Sequence, residues 1–317
     1  MPEASGKRRA GEQPPLRERW VDCDGRWVHT VDWEPDAPRP DRPPLLLVHG
    51  LGGSTVSWES VAGHLATRRE THVGALDLPG FGRTRTDARP AVFHEHGRVL
   101  EALLTQRGPA VIVGNSMGGS LGVALAARRP DLVAGLVLVN AAFPRPRGNT
   151  EQLARTARFA ALMIPRATTP LVRARANALG PEGLVDTTLA FVLEHPENLD
   201  PEVRRRLISA AEERRAYPEM PAAYAQSGGS LFRYLTRRMR TDMAAVRAPT
   251  LVLHGKRDRL VPVAFARAAA HRRPDWSFVE LEDCGHAPQL EQPAHFVDLV
   301  SQWLGRSHGV RDRATPA

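Results

Sequence analysis

Six apolar runs of strand length alternate with stretches of helical composition along this chain, and that alternation limits the fold more than any other feature. The runs lie at 45–48, 72–76, 110–113, 133–139, 250–253 and 276–281, with helical segments near 56–68, 92–106, 117–128, 263–271 and 293–304. An unbroken apolar strand has to be covered on both faces, and strands joined through helices run parallel. Ahead of them, Trp20–Cys23 and Arg26–Trp33 flank Asp24-Gly25, a residue pair suited to a two-residue hairpin turn. The second arm alternates Trp27, His29, Val31 and Trp33. The expectation is an α/β fold: a mostly parallel eight-stranded sheet with helices on both faces and two antiparallel strands at its edge.

The alternation stops between Phe143 and Val246. Proline and glycine punctuate this stretch, from Pro144 and Gly148 to Pro218 and Pro221, with helix-like pieces between them. The predicted organisation is a core formed by 20–142 and 247–306, a helical cap inserted at 143–246, and mobile tails at 1–19 and 307–317, which are polar, charged and proline-bearing. All three tyrosines, Tyr217, Tyr224 and Tyr234, fall in the inserted segment, together with Phe191. Their plain reading is packing of cap on core; the sharper one is that some line a pocket.

Residues Gly114 to Gly119 read Gly-Asn-Ser-Met-Gly-Gly, directly after the apolar run at 110–113 and before a helix former at 117–128. A strand that reverses into a helix within two residues strains the backbone at the turn and needs small neighbours, which the glycines supply. The hydroxyl of Ser116 is thereby lifted beside a helix N-terminus, whose free N–H groups hold developing negative charge. The motif predicts acyl transfer.

A serine hydroxyl needs a base to take its proton and a third group to orient the base. Asp258 lies just beyond the run at 250–253, and His286 in the loop after 276–281. Each alone has a plain reading, as a loop carboxylate or as one of twelve histidines. Together they stand at the carboxyl ends of predicted strands, where open α/β sheets place their ligands, in the order nucleophile, acid, histidine. Rival acids are Asp77 and Asp242; Asn140, after another strand, carries no charge. The glycine-rich run His49 to Ser54 follows the strand 45–48, so the backbone amides of Leu51 and Met117 are the expected oxyanion donors. His49 is read as a structural residue that holds this loop.

The net charge of +8 is almost wholly arginine, with Lys7 and Lys256 the only lysines. The arginines are scattered, with clusters at 204–206, 214–215 and 237–240 and no interleaved aromatic platform, which argues against nucleic acid as a partner. No apolar run approaches the roughly 20 residues of a spanning helix, and no hydrophobic centre marks a secretory signal. A cytoplasmic location is expected, with Cys23 and Cys284 as free thiols. No histidine or cysteine spacing suggests a metal, and no cofactor is expected.

These motifs resemble those of the α/β-hydrolase superfamily, serine-nucleophile branch with a helical cap, over about Trp20 to Arg306. The matching segments are His49 to Ser54, Asp77 to Thr84, Gly114 to Gly119, His254 to Pro262 and Gly285-His286. The resemblance implies an esterase or lipase-like enzyme acting on a small, hydrophobic ester or related acyl substrate. The Gly-Asn-Ser-Met-Gly-Gly form is also similar to hydrolases of carbon–carbon bonds in aromatic ring-fission products. Those generally carry tryptophan after the histidine, where this chain has Ala287, so that activity ranks second. A slow-turnover ligand receptor on the same fold is the reading from a different class. Cap apolar positions such as Leu162, Met163, Ile164, Leu184, Leu189 and Leu231 fit a hydrophobic group; Arg173 and Arg233 are the alternatives for a carboxylate. Oligomeric state is not legible.

Overall fold

The computed structural model describes residues 13–146 and 165–309. An eight-stranded sheet is its centre. The strands are β1 (Leu16–Asp22), β2 (Trp27–Trp33), β3 (Leu45–Val48), β4 (Val73–Leu76), β5 (Ala110–Asn115), β6 (Val133–Val139), β7 (Thr250–Gly255) and β8 (Ser277–Leu281), in the spatial order β1-β2-β4-β3-β5-β6-β7-β8. β2 runs antiparallel to both its neighbours, and β3 to β8 are parallel.

Successive residues of each inner strand supply opposite faces, as the two-residue period of a strand requires. Leu46, Val48, Ile112, Leu136, Leu138 and Val252 enter one core with Phe93, Leu100, Leu121 and Phe265. Leu45, Leu47, Val111, Val113, Val137, Val139, Leu251 and Leu253 enter the other, against Trp58, Leu65, Phe296 and Trp303. The first face is covered by α2 (Phe93–Arg107), α3 (Met117–Arg128) and α8 (Val263–Arg272), the second by α1 (Glu59–Arg69) and α10 (Pro293–Gly309). A four-residue helix, α9 (Pro288–Glu291), leads into α10. Strand and helix positions thus follow the apolar pattern closely.

Two expected boundaries shift. The chain enters the sheet at Leu16, four residues before the expected boundary, because Leu16 to Arg19 pair with Trp33 to Thr30 on the edge of β2. Charged Arg17, Glu18 and Arg19 are tolerated there since β1 is an exposed edge strand. β2, between β1 and β4, is buried along its length except for Trp27, 62% exposed. At the other end α10 continues through Gly309, past the expected boundary at 306. Most of each expected tail, 1–12 and 310–317, lies outside the described residues, as does 147–164 of the inserted segment, with Gly148, Leu162, Met163 and Ile164.

Between β6 and β7 the described residues form α4 (Pro165–Val192, broken at Gly180), α5 (Pro201–Arg215), α6 (Met220–Arg237) and α7 (Met239–Ala245). Ion pairs fasten these helices to the sheet side: Arg206 to Glu59, Arg83 to Glu213, Arg85 to Glu219 and Arg259 to Glu194. Arg204, in the basic cluster, pairs with Glu182 and Asp186. Cys23 and Cys284 are free and buried. No helix among the described residues is long and apolar enough to cross a membrane.

Candidate active site

The strand order reverses at β3, since the chain steps outward from β3 to β4 and then returns to β5 on the other side of β3. The loops leaving the carboxyl ends of β3 and β5 therefore diverge into a crevice, the place where doubly wound sheets hold ligands. They carry His49 to Ser54 and Asn115 to Met117.

Ser116 sits between β5 and α3 with φ 54° and ψ −114°, outside the ordinary regions for a side-chain-bearing residue. The glycines around it are sterically required. A Cβ on Gly118 would stand 2.1 Å from Val48 O, and one on Gly114 2.4 Å from the Gly118 and Gly119 backbone. Gly50 in turn lies against the Ser116 Cβ, so the His49 to Ser54 loop is held directly beside the serine. Ser116 is 7% exposed, and Met117 is fully buried at the first position of α3.

Asp258 and His286 meet across the ends of β7 and β8. His286 Nδ1–H donates to Asp258 Oδ2 at 2.7 Å. The carboxylate is further held by Asn140 Nδ2 on Oδ2 at 2.8 Å and by the Leu260 and Val261 N–H groups on Oδ1 at 2.7 and 2.8 Å. Burial favours the neutral acid, but the His286 charge and the hydrogen bonds from His254 and His286 outweigh it and hold the Asp258 carboxyl far below the usual range. Asp258 is thus a fixed anion whose hydrogen bond leaves Nε2 of His286 unprotonated in the neutral ring, the state a general base requires.

Two asparagines that the sequence reading did not assign build this geometry. Asn115, next to Ser116, donates to His286 O at 3.0 Å and so fixes the histidine loop to the strand that carries Ser116. Asn140, with φ 44° at the end of β6, donates to Asp258 and to Gly285 O at 3.0 Å and accepts from Gly255 N–H at 3.3 Å. One side chain therefore ties together the loops that carry Asp258 and His286. The available signal was position: each asparagine ends a core strand at the carboxyl edge of the sheet.

Asp77 and Asp242 make their contacts away from His286. Asp77 is buried and accepts from His29 Nδ1, Thr55 N and Arg83 N at 2.8, 2.8 and 2.9 Å, which makes it a brace for three segments. Asp242 lies at the start of α7 near Arg238. His49 donates from Nδ1 to Gly50 O at 2.7 Å and accepts Leu78 N–H on Nε2 at 3.0 Å. Both ring nitrogens are occupied, and burial lowers its pKa, in keeping with a loop-holding residue.

Of the aromatic residues in the inserted segment, Tyr224 lies over this crevice, its ring edge 3.1 Å from where a Cβ on Gly52 would be. Tyr234 stacks on Phe93 with ring centres 4.2 Å apart, Tyr217 packs under the Arg85 guanidinium, and Phe191 faces outward. Leu189 and Leu193 pack with Ala287 and Leu290, joining the segment to the histidine loop. Arg173 and Arg233 are exposed. The guanidinium that does reach the loop is Arg214, half-buried, with Nη1 3.1 Å from Gly52 O.

Comparison with known proteins agrees with this architecture. The family model described as alpha/beta hydrolase fold matches residues 43–293. The chain is 30% identical over 278 residues to 2-hydroxymuconate semialdehyde hydrolase of Pseudomonas putida, covering 83% of this chain and 88% of that protein. It is also 30% identical over 289 residues to the pimeloyl-[acyl-carrier protein] methyl ester esterase of Aromatoleum aromaticum, covering 82% of this chain and 97% of the esterase. Among solved structures, a bacterial membrane phospholipase A superposes with a TM-score of 0.69 at 27% identity, over 93% of this chain and 87% of that one.

Proposed function

The chain belongs to the alpha/beta hydrolase fold family, and from that premise we propose that it is a serine hydrolase cleaving a carboxylic ester, or a related acyl bond, of a small and hydrophobic substrate. The observation that carries the reading is the pairing of a nucleophile-type turn at Ser116 with an Asp258–His286 contact of 2.7 Å, joined through Asn115. Ser116 Oγ attacks the acyl carbon while His286 Nε2 takes its proton. Asp258 keeps the proton on Nδ1 and stabilises the imidazolium that forms. The amides of Leu51 and Met117 receive the tetrahedral oxyanion, where loss of one donor costs about 3 kcal/mol of barrier. The oxyanion collapses, and the leaving alcohol departs with the proton from His286. Water then enters, gives its proton to His286, attacks the acyl-enzyme and releases the acid, restoring the Ser116 hydroxyl. The helices between β6 and β7 act as the cap that sets specificity, with Tyr224 and Arg214 the residues placed to meet substrate.

Carbon–carbon bond hydrolysis is the second reading, favoured by the Gly114 to Gly119 sequence and by the likeness to 2-hydroxymuconate semialdehyde hydrolase. Ala287 after the histidine weighs against it, and the methyl ester esterase is as similar in identity. Steady-state hydrolysis of p-nitrophenyl esters from acetate to dodecanoate, with Ser116→Ala alongside, tests the proposal. Multiple turnovers lost in Ser116→Ala are expected, and the chain-length preference sizes the pocket. Ester turnover that survives in the purified variant overturns the serine mechanism. Folded wild-type protein that spares every ester but cleaves 2-hydroxymuconate semialdehyde replaces the first reading with the second.

A further inference from the structure

Glu291 is buried, 4% exposed, and ends the short helix α9 that follows the histidine loop. Its two oxygens face different parts of the chain. Oε2 accepts Gly285 N–H at 2.8 Å, one residue before His286, with the Cys284 thiol at 3.6 Å. Oε1 accepts Glu194 N–H at 3.0 Å and His195 N–H at 2.7 Å, where the chain leaves α4. Among the described residues no arginine or lysine pairs with this carboxylate, and its backbone donors come from two segments about 90 residues apart in sequence.

The same two segments touch directly. His286 N–H donates to Val192 O at 2.6 Å, and a Cβ on Gly285 would stand 2.5 Å from that oxygen and 2.8 Å from Glu194 N. Backbone therefore lies on backbone, and no side chain intervenes to absorb a shift. Arg259, next to Asp258, reaches the same exit: Nη1 donates to Ala190 O at 3.0 Å, and Nη2 pairs with Glu194 Oε2 at 2.6 Å. Residues 190–195 are thus fastened to the loops of both the acid and the histidine.

We propose that Glu291 is a positioning residue that couples the seating of the cap exit, residues 192–195, to the alignment of His286. A carboxylate shared between two segments makes each one the other's restraint. When 194–195 withdraw, Oε1 is left buried without donors, and the Gly285 N–H is released with it. The catalytic relevance rests on the serine hydrolase reading above; the coupling itself does not.

Glu291→Gln separates this from simple structural support. Glutamine has one acceptor oxygen, so whichever way the amide turns, an NH2 group faces the N–H of one segment. In a variant with the wild-type melting temperature, kcat on p-nitrophenyl butyrate falls about 10- to 100-fold with KM within about twofold, as expected for a misplaced catalytic group. Amide exchange followed by NMR rises together at Gly285 and His195. Wild-type kcat in folded Glu291→Gln, a loss confined to KM, or faster exchange at one segment alone overturns the proposal. If the variant does not fold, wild-type exchange decides: opening of Gly285, Glu194 and His195 as one unit supports the coupling, and independent opening refutes it. Wild-type protein without serine-dependent turnover defeats the hydrolase reading, while the exchange data still judge the coupling.

Discussion

Asn140→Asp changes one atom's chemistry at a buried polar contact of the site. The side chain is nearly isosteric, yet the Nδ2 donor 2.8 Å from Asp258 Oδ2 becomes an oxygen. Two carboxylate charges at that separation repel by about 6 kcal/mol at an effective dielectric constant near 20. The lost hydrogen bond to a charged acceptor adds about 1.5–3 kcal/mol. At 1.36 kcal/mol per pH unit, the repulsion alone raises the pair's shared proton by about four pH units, so one proton stays between the introduced carboxylate and Asp258 at neutral pH. It stays on the introduced carboxyl, because Asp258 is the stronger acid, and its O–H donates to the same Oδ2 that accepts from His286 Nδ1, drawing off part of the charge that orients the ring and stabilises the imidazolium. The expected result is a fall in kcat on p-nitrophenyl butyrate of about 10- to 100-fold at pH 7, short of the loss typical of a removed triad acid because Asp258 keeps most of its charge. Activity partly returns above about pH 8 as the shared proton leaves. Asn140→Ala removes the donor without adding charge and shows a smaller loss with no alkaline recovery. Steady-state rates between pH 6 and 10, with melting temperatures alongside, provide the check. A folded Asn140→Asp enzyme with the wild-type rate at pH 7, or with the wild-type pH profile, refutes the reasoning.

Two further outcomes follow from packing and burial. Gly118→Ala forces a Cβ to 2.1 Å from Val48 O with rigid backbone on both sides, so its cost exceeds the ~1–3 kcal/mol of ordinary overpacking. Gly183→Ala, where the nearest atom is Leu179 Cβ at 3.5 Å, gains about 0.4–1 kcal/mol; urea midpoints of the two variants that fail to diverge contradict this. Burial pushes the Glu59 carboxyl up to about 7 despite Arg206 at 2.8 Å. The folded chain therefore keeps a proton that the unfolded chain has released between the ordinary glutamate range and about pH 7, and Glu59 lowers stability progressively as pH rises through that window. Glu59→Gln removes the slope, so its melting temperature relative to wild type climbs from pH 5 to pH 8, and a difference independent of pH rules the assignment out.

The sequence by itself determined the sheet and the strained turn that carries Ser116. Apolar runs such as Leu45 to Val48 and Val133 to Val139 have no polar face, so only a strand covered on both sides satisfies them. Gly114, Gly118 and Gly119 announced a close approach that the structure realises against Val48 and Ala141. These are local constraints, written in residue types and short spacings. The pairing of Asp258 with His286, rather than involvement of Asp77 or Asp242, was legible only as an order along the chain. The 2.7 Å contact depends on where β7 and β8 end beside one another. Asn115 and Asn140 were marked in the sequence by position alone and Glu291 by nothing, because their partners become neighbours only when the sheet and the helices between β6 and β7 have assembled. The same holds for the arginines: composition made Arg173, Arg214 and Arg233 alike, and packing of α5 on the loop after β3 brought Arg214 alone of the three to the Gly52 carbonyl. Periodicity and steric need fix which elements form; long-range contacts, with little local energy of their own, decide which side chains meet.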